Sequence, residues 1–129
     1  MDLSKNLLVN LEDQILANAL NLETLDLSKN KLKSISLESN NNFRRLSTLN
    51  MAYNSLRAMD ESWRMGYPKL RMLNISHNRI GPVIWGTDLQ YVKTYHGMFL
   101  DLSFNKIQRV EIDTKSDSFQ SIYLDLVGR

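Results

Sequence analysis

Apolar residues return along this chain in one fixed order. Leu22-Glu-Thr-Leu-Asp-Leu-Ser-Lys-Asn-Lys-Leu32 is followed by Leu46–Leu56, Leu70–Ile80 and Gly97–Ile107 in nearly the same pattern. A truncated copy opens the chain at Met1–Leu8, and a partial one closes it at Ser121–Arg129. Each unit reads L-x-x-L-x-L-x-x-N-x-L, with Met, Ile or Phe at some apolar places. Asn6, Asn30, Asn54, Asn78 and Asn105 mark the beat, at intervals of 24, 24, 24 and 27 residues. Self-similarity at such a period is the mark of a solenoid.

The L-x-L core alternates like a short strand, with one face inward and one in solvent. The predicted inward pairs are Met1/Leu3, Leu25/Leu27, Leu49/Met51, Leu73/Ile75, Leu100/Leu102 and Leu124/Leu126. One unit cannot bury its apolar face alone, whereas stacked units bury a continuous one, with their strands side by side in a parallel sheet. Each recurrent Asn sits where the chain turns inward, and its amide can both donate to and accept from turn backbone. Five residues further on, Leu11, Ile35, Met59, Val83 and Val110 are all apolar and are expected to line the core at the start of the return path.

The return segments vary. A helix-like run from Asn10 offers Ile15, Leu16 and Leu20 to the core, and Asp60 and Thr87 suit the N-caps of short helical turns. The fourth unit is three residues longer, and the extra length belongs in a loop around Trp85–Tyr95. Asp113–Ser118 is polar and reads as an outer loop. Trp63, Tyr67 and Trp85 fall on the return path, where packing is their expected role.

The fold class implied is an α/β repeat: a solenoid with a concave parallel β-sheet, and coil or short helical turns on its convex side. It forms one domain over residues 1–129, with five to six repeats uncapped at both ends. Because the chain begins and ends inside a repeat, it reads as a piece of a longer protein. Uncapped repeats expose core residues, so self-association through the ends is expected.

Composition narrows the chemistry. The 129 residues carry a formal charge of only +2, and Lys and Arg are spread among acids without a basic run, which argues against a nucleic-acid partner. No apolar stretch reaches transmembrane length. The absence of cysteine removes disulfides and thiolate metal sites within the chain, and fits a cytosolic protein or an internal piece of a secreted one. His77 and His96 lie in different units, with no metal-ligand spacing and no nucleophile–base set. No cofactor, metal site or catalytic residue is expected, and the chain reads as a non-enzyme.

The columns around each L-x-L are where binding would reside. They are Asp2, Asp26, Asn50, Asn74, Asp101 and Asp125; Thr24, Thr48, Met72, Phe99 and Tyr123; Ser4, Ser28, Ala52, Ser76 and Ser103; and Lys5, Lys29, Tyr53, His77 and Phe104. All four are expected to face solvent. In the Thr and Lys columns later units carry Met72, His77 and aromatics, so the concave face is expected to run from a polar end to an aromatic one. Clustered exposed aromatics suit an interface, and Asp101 and Asp125 suit a basic partner. The predicted partner-binding residues are Tyr53, Met72, His77, Phe99, Asp101, Phe104, Tyr123 and Asp125. The competing reading packs these aromatics on further chain or a flanking loop, and makes the Asp/Asn column a polar ladder. Asn74-Ile-Ser76 is a glycosylation acceptor pattern on the same face.

LDLSKNKL, LNISHNRI and LDLSFNKI resemble leucine-rich repeats of the 24-residue extracellular type, above all those of Toll and Toll-like receptor ectodomains, insect ones in particular. The resemblance covers essentially the whole chain. It implies a cell-surface or extracellular module that binds a secreted protein ligand or dimerises, touching a membrane only through other parts of the parent protein. Cell-adhesion or secreted leucine-rich proteins are the next reading, and a cytosolic scaffold the third. Unlike such ectodomains, the chain has no cysteine-rich cap, and Arg129 stands where the sixth Asn would fall.

Overall fold

The structure is a computed structural model that describes residues 1–11, 19, 21–34, 44–58, 69–85, 98–111 and 122–128. For Val83–Trp85, Ile122–Asp125, Met98, Val110 and Glu111 the description is of the backbone. The expectations for Ile15, Leu16, Leu20, Ile35, Met59, Asp60, Trp63, Tyr67, Thr87, His96 and the 113–118 loop lie outside the described residues.

The L-x-L segments form strands. Thr24–Asp26 (β1), Thr48–Asn50 (β2), Met72–Asn74 (β3), Met98–Asp101 (β5) and Ile122–Asp125 (β7) make one five-stranded sheet in the order β1-β2-β3-β5-β7. Every pair is parallel, and the register matches the repeat residue for residue: Leu25 on Leu49, Leu49 on Leu73, Leu73 on Leu100, Leu100 on Leu124. Asp2 bridges to Asp26 and extends the ladder to the opening copy. The 27-residue interval is absorbed between strands, since Met72 still faces Phe99.

Leu25, Leu27, Leu32, Leu49, Met51, Leu56, Leu73, Ile75, Ile80, Leu100, Leu102 and Ile107 are buried in one continuous core, with Leu46 and Leu70 beside them. Leu3, Leu8, Leu11, Leu22 and Leu126 pack partly against it. Met1 is half exposed, so the predicted inward pair Met1/Leu3 is only partly buried. A position with neighbours on one side only cannot be covered from the other.

A second, two-stranded parallel sheet pairs Val83–Trp85 (β4) with Arg109–Glu111 (β6). Coil or helical turns were expected there. Its register sets Val83 against Arg109 and Ile84 against Val110, so the Val83 and Val110 column is one residue out of step. Gly81 enters β4 at φ 136°, and a Cβ there would overlap the Lys106 carbonyl. Only glycine occupies that conformation readily, and its missing side chain lets the two coils approach.

Candidate functional site

The site is built on the turn after each strand. Asp2, Asp26, Asn50, Asn74 and Asp101 each accept, on Oδ1, the N–H of the residue two ahead, at 2.8–3.1 Å. This local side-chain bond bends the chain out of the strand. Ser76 and Ser103 add hydroxyl bonds to the same oxygens, at 2.7 and 2.6 Å. Asp2 shows the consequence for charge. The Ser4 hydroxyl, then the Ser4 N–H, then Lys5 and the N-terminus hold its carboxyl below the ordinary 3.8.

One expectation about the columns is corrected here. Ser28, Ala52, Ser76 and Ser103 are buried, not in solvent, because the turn rotates them under the coil. Asp101 and Asn74 are half buried and commit one oxygen to the turn. The Asp/Asn column is therefore a polar ladder that shapes the coil, and the second carboxylate oxygen of Asp101 lies outside these turn bonds. Tyr123 and Asp125 stand in register with Phe99 and Asp101 by backbone; their side chains lie outside the described residues.

The next residue adopts a left-handed conformation: Lys5, Lys29, Tyr53, His77 and Phe104 all have φ between 51 and 57°. A side chain there costs about 1–2 kcal/mol. The Asn that follows secures it. Asn78 Nδ2 donates to the carbonyls of Met51, Ile75 and Ser76, and its Oδ1 accepts the Leu56 N–H. Asn30, Asn54 and Asn105 repeat this arrangement, each buried and tying one coil to the one before. Asn6 is exposed and bonds only within its own turn, to Leu3 and Ser4.

Held this way, Tyr53, His77 and Phe104 stack. Tyr53 and His77 have ring centroids 4.0 Å apart and 9° from parallel; His77 and Phe104 are 4.3 Å and 10°. Lys29 Nζ lies 5.7 Å from the Tyr53 centroid, extending the column by a cation–π contact. At the other end Gly128, at φ 68°, is so close to the Phe104 ring that a Cβ would strike it. In the same coils Met72 and Phe99 stand on the solvent side of the sheet, in register with each other. Tyr53, Phe104, Met72 and Phe99 are 41–49% exposed, while His77 between its two rings is half buried. The structure therefore stacks three of the eight predicted contact residues and sets two more, Met72 and Phe99, side by side on the sheet. Among the described residues no group of three or more His, Cys, Asp or Glu could hold a metal ion, and no helix is long and apolar enough to cross a membrane.

A family model described as leucine rich repeat matches residues 1–56 and again 21–80. The chain belongs to the leucine-rich repeat family. Its recurring apolar and Asn skeleton is thereby assigned to the repeat, and leucine-rich repeat modules typically mediate protein–protein contacts rather than catalysis. No curated protein sequence matches the chain.

Sequence reasoning missed one feature of this leucine-rich repeat chain. Lys31, Lys33, Arg57 and Arg79 gather, with Val9 and Ser55, around a groove of about 470 Å³. Glu23, Arg45, Ser47, Lys69 and Arg71 line another of about 510 Å³. A search for basic runs cannot find such patches. Reading the columns one and three residues after each Asn would have shown the first.

Proposed function

We propose that this chain is a protein-recognition module whose binding strip is the Tyr53–His77–Phe104 stack together with Met72 and Phe99. Tyr123 and Asp125 extend the strip along the last strand, and Asp101 borders it. The carrying observation is the stack itself. Three rings from three coils are ordered into one rib and still leave much of their surface in water. Ordering before contact lowers the entropy that binding must overcome, and aromatic anchors dominate interface energetics.

The parent is a Toll-type receptor ectodomain, extracellular or at the cell surface, that binds a secreted protein or pairs with a second receptor. This finer reading is supported by the resemblance of its repeats to such ectodomains. A glycan on Asn74 would occupy the middle of the sheet face, between Asn50 and Asp101. The open strip therefore requires Asn74 to be unmodified, and intact mass before and after N-glycan removal decides that point.

The strip is tested with a photo-crosslinking residue placed in the full chain at position 72 or 99, with exposed position 108 as the remote control, on secreting cells. A discrete adduct from 72 and 99, absent from 108 and lost in Phe104→Ser, is the expected result. Equal adducts from all three positions would sink the proposal.

A further inference from the structure

The groove lined by Lys31, Lys33, Arg57 and Arg79 shares no residue with the aromatic strip. Its floor is rigid: Lys31, Ser55 and Arg79 donate their N–H groups to Leu8, Leu32 and Leu56 of the preceding coils, at 2.8–2.9 Å. This backbone ladder repeats the strand spacing, about 4.8 Å per step, so Lys31 and Arg79 stand about 10 Å apart along it. Lys33 and Arg57 belong to adjacent coils beside them. All four side chains are exposed, and no carboxylate lines the groove among the described residues.

Four cations gathered with no acid among the described lining residues repel one another, and folding alone does not require them there. In a chain of net charge +2 this is a local concentration and not an overall bias. Uncompensated positive potential in a groove attracts anions. Arg57 and Arg79 offer planar forks suited to tetrahedral oxyanions, Lys31 and Lys33 offer point charges, and Ser55 offers a hydroxyl. No aromatic ring lines the groove among the described residues, so the stacking platform that single-stranded nucleic acid uses is missing. A length of about 10 Å suits a chain that carries several anionic groups per short stretch.

We propose that this groove binds a sulfated polysaccharide, with Lys33 and Arg57 at its centre. The probe is a fully sulfated heparin hexasaccharide, titrated into the full chain by fluorescence anisotropy at two salt concentrations. Lys33→Gln with Arg57→Gln is expected to weaken binding at least 10-fold and lower the salt slope by about two. Lys69→Gln with Arg71→Gln, in the other groove, should change affinity less than twofold. Amide shifts of the unsubstituted chain should move at residues 31–33, 55–57 and 79, a readout that survives if the double variant misfolds. Equal loss from both variant pairs would overturn the proposal. So would undiminished binding of the desulfated hexasaccharide, equal affinity for a single-stranded oligonucleotide of the same charge, or shifts confined to other residues.

Discussion

Asn78 shows how much one side chain can hold. It satisfies three carbonyls and one N–H drawn from two coils, and it is buried. Asn78→Ala should cost about 1–3 kcal/mol for each group left unpaired, read as a lower urea midpoint. Asn6→Ala should stay within about 0.5 kcal/mol, because its two hydrogen bonds are exposed. Its neighbour His77 carries two opposing contributions. Glycine at this left-handed position relieves about 1–2 kcal/mol, but loss of the ring removes two stacks of about 0.5–1.5 kcal/mol each. Glycine also costs about 0.5–1 kcal/mol in unfolded-state entropy. His77→Gly should therefore destabilise by about 1 kcal/mol, whereas Lys29→Gly should be near neutral by the same denaturation measurement. A His77→Gly chain more stable than the parent by about 1 kcal/mol would show that the rings contribute nothing to folding.

Each element is short because its own turn ends it. The Asp/Asn side chain captures the N–H two residues on, so β1, β2 and β3 stop after three residues. The strands then have no stability of their own, and packing supplies it. The Leu25, Leu49, Leu73, Leu100 row was legible in the sequence because an alternating apolar pair has only one way to be buried. The β4–β6 pair was not legible. Three residues such as Val-Ile-Trp, within a lengthened return path, fit coil or strand equally, and only contact between coils decides. Gly81 marks the place. Gly81→Ala should cost about 2–4 kcal/mol through backbone strain and overlap with the Lys106 carbonyl, and should weaken amide protection in β4 and β6 before that in β3. Uniform loss of protection would mean the two sheets unfold as one unit.

Across the whole molecule stability should be graded. A repeat contacts only its neighbours, so protection follows how fully each coil is covered. The Leu3 N–H to Asp26 and Met51 N–H to Asn74 bonds are alike in length, 2.8 and 2.7 Å, yet their surroundings differ: Leu3 is half buried and Met51 buried. Leu3 is expected to exchange by local opening and Met51 only by opening of the core. Equal exchange rates would contradict a graded solenoid. The same stacking sorts function by side. Residues just before each Asn, such as His77, stack in one column. Residues two and four further on, such as Arg79, contribute to the basic groove.

The sequence by itself determined the repeat, the strand register, the inward apolar rows and the Asn ladder. These follow from a period that returns the same residue types to the same environment. It also marked Tyr53, Met72, His77, Phe99 and Phe104 as a column-wise change of character. Tertiary structure alone decided that the Ser column is buried, that Asp101 commits one oxygen to the turn, and that three rings close into one stack. It alone gathered Lys31, Lys33, Arg57 and Arg79. Coil spacing and turn geometry bring together residues 22 to 27 positions apart, and only the repeat columns, never a local run, align them.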